Sequence, residues 1–267
     1  MGKHVWHGTI RFGENSVTKT AAPDLMRIEV EKTRRAFEIG RDCGLFRVPK
    51  VLDYDEVKGV AVFERIERIQ PFISKINQWS SVIERIGRSL ALIHRALSLP
   101  QEMVISLPPK FDLPGTEVFL HGDFNGYNVC LSTCLDSIVI FDWQMTSRHG
   151  GQATYGSRYF DLLWFVNYML WTPTFSYIFH DPVSLVAKRF LASYFREADI
   201  PYDADMLVQY AKNFFAMKLS LRKQLTTWRT RYLLPRSRTL TQRFIESIET
   251  LNLKEQISPF QGESSGM

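Results

Sequence analysis

FLHGDFNGYNVCLSTCLDSIVIFDWQ, residues 119–144, carries three oxygen-bearing side chains at a telling spacing: Asp123, Asn128 five positions on, and Asp142 fourteen beyond that. Asp123 falls in a loop just after the apolar run 118–120. Asn128 leads into Val129-Cys130-Leu131, and Asp142 ends a second apolar run, 138–141. Two adjacent strands with their ends aligned would bring all three groups to one point. Mg²⁺ accepts hard oxygen ligands and usually takes only one or two carboxylates together with substrate phosphates. Asn128 and Asp142 suit that role, which leaves Asp123 to orient a hydroxyl and accept its proton.

Outward from this stretch, the pattern alternates between strand and helix in the first seventy residues. Residues 5–12 and 16–21 read as two strands around the turn formers Gly13-Glu14-Asn15. Pro23-Asp24 opens a helix to about Cys43, with Gly44 as its stop. Residues 48–53 and 59–66 form a second antiparallel pair with a turn at 54–58, and Pro71 breaks the pattern. From Gln78 to Leu97, Val82, Ile86, Leu90, Ile93 and Leu97 recur at threes and fours, the period of an amphipathic helix. Residues 99–116 hold Pro100, Pro108, Pro109 and Pro114 and read as a loop. After Asp161 the chain is helical and aromatic-rich, with breaks expected at Pro173, Pro201 and Pro235. The tail 256–267 reads as disordered.

A catalytic-loop Asp with an Asn and a separate metal-binding Asp is the protein-kinase division of labour. HGDFNGYNV followed by IVIFDWQ resembles the aminoglycoside phosphotransferase and choline kinase superfamily, relatives of protein kinases that phosphorylate small molecules. Gly87-Arg88-Ser89-Leu90-Ala91-Leu92-Ile93-His94 is similar to that family's Gly-x-x-Leu-Ala-x-Leu-His helix, and Val48-Pro49-Lys50-Val51-Leu52 to its Val-Pro-x-Val strand. Arg158-Tyr159-Phe160-Asp161-Leu162 is placed like the Asp-Leu that follows the metal-binding Asp. The matches run from about residue 17 to residue 165.

The resemblance implies an α+β, bilobal, protein-kinase-like fold, with a small antiparallel-sheet N-lobe over 1–70 and a larger, mostly helical C-lobe over 71–255. The N-lobe reads as shortened: eighteen residues precede Lys19, and Gly8 and Gly13 do not make the family's Gly-rich loop. The implied function is ATP-dependent, Mg²⁺-dependent transfer of a phosphoryl group to a hydroxyl of a small molecule. Asp123 is implied as the base, and Asn128 and Asp142 as metal ligands. Lys19, paired with Glu31, is implied to hold the nucleotide phosphates. The backbone at Glu64–Ile66 would be the adenine hinge, and His121 and Asp161 would brace the catalytic loop. The alternative is a catalytically impaired nucleotide-binding or scaffold protein of the same fold.

Residue by residue, plainer readings compete. Lys19 can be an exposed strand residue. Glu31 stands among Glu29, Lys32, Arg34 and Arg35, where a surface ion pair is the ordinary outcome. His94 on an apolar helix reads as a structural histidine. Tyr155, Tyr159, Trp164, Tyr168 and Trp171 offer faces for a cationic acceptor, but aromatic residues at helical spacing are more often core.

Composition adds limits. Of 267 residues 45% are hydrophobic and 23% charged, a globular balance. Cys43, Cys130 and Cys134 cannot all pair, and lack the His partners of a zinc site, which suits free thiols in a reducing compartment. The N-terminal residues hold no long apolar core, and the apolar stretch near 159–179 is interrupted, so the expectation is a soluble, cytoplasmic chain without a transmembrane segment. Net charge is +5, and nine Lys or Arg fall between Met206 and Ile245 with no acid. That block suits an anionic or sugar-like acceptor better than a polycation. An RNA- or membrane-associating role also fits the charge, but no nucleic-acid motif accompanies it.

Overall fold

The structure, a computed structural model, describes residues 8–74, 79–144, 152–171, 182–223 and 228–249. It is α+β and bilobal, a small antiparallel sheet with one helix set on a larger helical part. Strands β1 (Thr9–Phe12), β2 (Ser16–Thr20), β3 (Val51–Asp55) and β4 (Val60–Glu64) form the sheet in the order β1-β2-β4-β3. Lys19 pairs with Ala61 and Val17 with Phe63 across β2 and β4. Helix α1 (Pro23–Cys43) begins with Pro at its first positions and Asp24 in its first turn, and closes on Gly44 at φ 66°. Met26 and Val30 of α1 bury against Ala61 and Phe63, which fixes α1 on one face of the sheet.

After Glu64 the chain leaves this sheet, and its next strand, β5 (Ile69–Pro71), joins a second one. There β7 (Val129–Ser132) lies between β5 and β8 (Ile138–Ile140). Arg47, in the segment after α1, bonds β8 on both sides through Arg47 N–H to Ile138 O (2.7 Å) and Ile140 N–H to Arg47 O (2.9 Å). The apolar run ahead of Asp123 forms β6 (Glu117–Phe119). It pairs not with β7 or β8 but with β9 (Tyr155–Ser157), a three-residue strand without an alternating signature.

The helical part is built on α2 (Trp79–Ala96), α3 (Tyr159–Trp171), α4 (Pro182–Ala198), α5 (Ala204–Lys223) and α6 (Trp228–Glu249). A helix apolar all round belongs inside a bundle, and α3 is buried on nearly every side from Tyr159 to Leu170. The expected Gly87 motif has a packing reason. A Cβ there would come within 2.5 Å of Phe190 O on α4, so only glycine allows α2 and α4 to approach this closely.

Pro235 does not end a helix as expected, because α6 runs through it. One proline removes one backbone bond and costs about 3 kcal/mol. Leu240, Phe244 and Ile248 beyond it are all buried in the core and hold the helix together. Pro201 does separate α4 from α5. The expected break at Pro173 and the tail 256–267 lie outside the described residues. No helix among the described residues is long and apolar enough to cross a membrane.

Candidate functional site

The loop 121–128 is tied at both ends. Asp161, fully buried near the start of α3, accepts the backbone N–H of His121 (2.7 Å) through Oδ2 and that of Gly122 (3.0 Å) through Oδ1. Its Oδ2 also accepts His94 Nε2–H (3.0 Å), and the other nitrogen of that ring receives the Tyr194 hydroxyl at 2.8 Å. His94 is thus a satisfied core histidine, held neutral as burial lowers its pKa. Three donors on one carboxylate outweigh the burial that would raise it, and Asp161 stays below its ordinary range.

His121 fixes the loop from inside. Asp123 N–H donates to His121 Nδ1 (3.2 Å), so Nε2 carries the proton and donates to Phe141 O (3.0 Å). Burial pulls this ring down to about 4, in keeping with the neutral form. Gly122 has φ 90°, a backbone state that side chains rarely adopt, which places glycine between His121 and Asp123. Asn125 shapes the turn that follows. Its Oδ1 accepts the N–H of Tyr127 (2.8 Å) and of Asn128 (3.2 Å), an Asx-type turn.

Both oxygens of Asp123 are engaged, on opposite sides. Oδ2 accepts Asn128 Nδ2–H at 2.9 Å, and Oδ1 accepts the indole Nε1–H of Trp164 at 2.6 Å. Burial, with the nearby Asp142 charge, pushes Asp123 up to about 7 despite these donors. A carboxylate in that range is matched to taking a proton from a hydroxyl near neutral pH.

Asn128 Nδ2 also donates to Asp123 O (2.9 Å), so both amide hydrogens are used and Oδ1 faces away as an acceptor. The β7–β8 register sets Val129 opposite Ile140, and Phe141 N–H donates to Asn128 O at 2.9 Å. Asp142 follows immediately with φ 56°, a left-handed state in which Asp is among the few side chains found. The three spaced groups of the sequence therefore do meet, at the ends of β7 and β8. A side chain 43% exposed keeps Asp142 open to a ligand.

Lys19 reaches this point from the sheet. Its Nζ bonds Asp142 Oδ1 at 2.8 Å and pairs with Glu29 of α1. Burial alone would lower the ammonium pKa, but two carboxylates more than offset it and keep it above the ordinary lysine value. The partner is Glu29, not the expected Glu31. Two positions on a helix are about 200° of rotation, so Glu31 turns outward to Arg35 (2.6 Å, i to i+4) while Glu29 faces the site. The signal was present: Met26, Glu29, Thr33, Ala36 and Gly40 form the buried stripe of α1.

Lys32, one turn after Glu29, is fully buried and donates to His121 O at 2.6 Å, tying α1 to the loop. Burial lowers it to about 8, against the pull of Asp161 and Glu29. Sequence reasoning missed Lys32 and Asn125 as parts of the site, and offered Trp164 only as one of several aromatic faces, not as a partner of Asp123. Asn125-Gly126 is a turn dipeptide, and Trp164 lies one helical turn after Asp161 on the same face, so both had local signatures.

The expected hinge is less defined. Glu64 ends β4, its N–H bonded to Lys50 O (2.8 Å) and its carboxylate to Arg47 (3.3 Å); Ile66 is half-buried in the connector beyond. Among the described residues no group of three or more His, Cys, Asp or Glu could hold a metal on its own. All three cysteines are unpaired, and burial pushes the Cys130 thiol up to about 12. Within the basic block, Lys212 pairs with Glu249 (3.6 Å), Arg238 and Arg243 are exposed, and Lys218 turns inward. The side chains of Arg222, Lys223, Arg229, Arg231 and Arg236 lie outside the described part.

No family model and no curated protein matches the sequence. Solved structures do match the fold over nearly the whole chain. A choline/ethanolamine kinase family protein from Mesorhizobium loti aligns over 91% of this chain and 90% of its own, with TM-score 0.54 and 12% identity. Amicoumacin kinase hAmiN, in complex with AMP-PNP, Ca²⁺ and Ami, aligns over 96% and 90%, with TM-score 0.54 and 13% identity. A glucosamine kinase in complex with glucosamine, ADP and inorganic phosphate aligns over 94% and 81%, with TM-score 0.51 and 14% identity. The chain shares the fold of these small-molecule kinase structures, a bilobal protein-kinase-like fold.

Proposed function

We propose that the protein is a small-molecule phosphotransferase that uses ATP and Mg²⁺ and acts on a hydroxyl group. The observation that carries this reading is the meeting of Asp123, Asn128, Asp142 and Lys19 at the ends of β7 and β8. Asp123 serves as the base, taking the hydroxyl proton as the acceptor oxygen bonds the γ-phosphorus of ATP and the bond to the β–γ bridging oxygen breaks, releasing ADP. Lys19, set by Glu29, contacts the nucleotide phosphates, and the backbone at Glu64–Ile66 receives the base.

The donor set fits a hard divalent cation. Asp142 supplies an accessible carboxylate and Asn128 an amide oxygen whose direction is fixed by its two bonds to Asp123. Phosphate oxygens complete such a site. A bound Mg²⁺ supplies charge neutralisation on the transferring phosphoryl group. The nucleotide and divalent ion present in the amicoumacin kinase structure support the same cofactors here. Asp161 and His121 keep the loop in shape and touch neither ligand. Purified protein incubated with Mg²⁺-ATP and a panel of alcohols tests the reading. ATP consumption that depends on one alcohol is expected; none with any member counts against it.

A second reading is nucleotide binding without turnover, and one observation favours it. The turn between β1 and β2 is tied to the connector after β4, by Arg65 N–H to Asn15 O (3.1 Å) and the Arg65 guanidinium to Gly13 O (2.7 Å). It therefore stands at the hinge end of the sheet, where Ser16 pairs with Glu64, away from Lys19. Mg²⁺-ATP binding with no phosphoryl transfer in that panel is the outcome this reading expects.

A further inference from the structure

Lys32 is a buried cation that the proposed chemistry does not use, and what it holds is a single peptide plane. The unit joining His121 to Gly122 presents its carbonyl oxygen to Lys32 Nζ at 2.6 Å and its N–H to Asp161 Oδ1 at 3.0 Å. Both grips are out of water: Lys32 is 1% exposed and Asp161 not at all. They also come from opposite parts of the molecule, Lys32 from α1 on the sheet and Asp161 from α3 in the helical part. The plane between them is the one in this loop most able to turn over. Gly122 has φ 90°, and glycine takes φ of either sign at little cost, so the peptide ahead of it can rotate where another residue would resist. A turned plane would point the carbonyl away from Lys32 and the N–H away from Asp161. The next residue is Asp123.

The place of Lys32 on α1 adds a second link. One turn earlier, Glu29 pairs with Lys19, whose Nζ bonds Asp142. Residues three apart are neighbours on a helix surface, so one turn of α1 carries both the group that sets Lys19 and the group that sets the peptide before the base. We propose that Lys32 is a positioning residue for Asp123: through His121 O it holds the 121–122 peptide in the orientation that places the carboxylate, and it ties the geometry of the base to the same turn of α1 that sets Lys19. The inference rests on the phosphotransferase reading for the role of Asp123. Its physical basis is the kind of bond involved. An ammonium donating to a carbonyl away from water makes a charge-assisted hydrogen bond, strong and costly to lose. Without it, the His121 carbonyl loses its buried donor and Gly122 regains its freedom, while Lys19, Glu29 and Asp142 keep their contacts. Losing Lys32 therefore costs rate and spares nucleotide affinity.

Two measurements on the full chain test this. Lys32→Met keeps the length of the side chain without the donor. In amide hydrogen exchange without nucleotide, wild type is expected to protect the loop 121–128 nearly as well as α3. Lys32→Met is expected to exchange that loop about tenfold to hundredfold faster with α3 unchanged, the scale of one charge-assisted bond. A wild-type loop that exchanges like an exposed segment overturns the proposal without any variant, so a Lys32→Met protein that fails to fold does not shield it. Equal loop protection in wild type and the folded variant also overturns it. The second measurement is turnover with an alcohol from the panel above, counted per AMP-PNP-binding chain so that a misfolded fraction does not register. Here kcat is expected to fall by about tenfold or more while KM for ATP changes less than about twofold. An unchanged kcat, or a loss that falls on KM instead, overturns the positioning role. Failure of every alcohol to support turnover, or of AMP-PNP and Mg²⁺ to bind, is a different result. It strikes the phosphotransferase reading, and the exchange measurement still decides whether Lys32 holds the loop.

Discussion

The two sides of the site are held by different forces. The loop 121–128 is fastened by hydrogen bonds among groups that water does not reach: Asp161 to two backbone amides and His94, His121 to Phe141, Lys32 to His121. Lys19, opposite, is held by two carboxylates, one of them open to solvent. Hydrogen bonds of the first kind fix direction and are costly to lose. Ion pairs of the second kind fix charge and tolerate a change of partner. Under the proposed function the difference would suit a base that keeps its geometry and a cation that exchanges a protein carboxylate for phosphate.

The largest effect is expected where the first kind is broken. Asp161→Ala strands three buried donors, at about 1–3 kcal/mol each. A loss of about 3–5 kcal/mol in urea denaturation is expected, with activity falling too; a melting curve like wild type would show the brace to be dispensable. Asp123→Ala comes next and separates chemistry from binding. Turnover should drop by ~10²–10⁴ while Mg²⁺-ATP binding persists, and an unchanged rate in the purified variant removes Asp123 from its role. Asp142→Asn addresses the junction of the two sides. Mg²⁺-dependent nucleotide affinity should fall by about 10–100-fold, read by calorimetry with and without the metal; equal affinities would refute coordination there.

The smallest pair sharpens the comparison along one helix. Glu29→Gln should raise KM for ATP by about tenfold, the scale of a charge-assisted hydrogen bond of ~1.5–3 kcal/mol. Glu31→Gln should leave KM unchanged and alter stability by no more than about 0.5 kcal/mol, as a half-exposed i to i+4 pair does. A reversed result would return Glu31 to the position the sequence suggested.

What the sequence disclosed follows from the range of the interactions involved. Helix α1, with its proline start and glycine stop, is a local matter and was legible to its last residue. Asp123, Asn128 and Asp142 were legible because the strands that align them lie within about twenty residues of one another. The β6–β9 pair and β5 were not, since three-residue strands carry no period and their pairing is decided by the rest of the fold. Glu29 was misjudged for Glu31 because five charged residues within seven positions mask the buried stripe unless helical rotation is followed. Pro235 was overvalued as a breaker because the apolar residues after it, packed on distant helices, outweigh one lost bond. Nothing local separates Lys218 from eight other basic residues; only the approach of α5 to α3 does so.

Asp161 has a consequence for how the chain reaches its folded state. Its hydrogen bonds join it to residues 67 and 40 positions earlier. Contacts of that separation form only after the intervening chain has been closed into loops, an entropic cost that precedes any return. The full set of bonds on Asp161 can therefore form only once α2 and α3 have docked. A partly folded chain can carry every residue of the site and still lack the site, so the braced loop reports the docking of helices rather than the formation of any one segment.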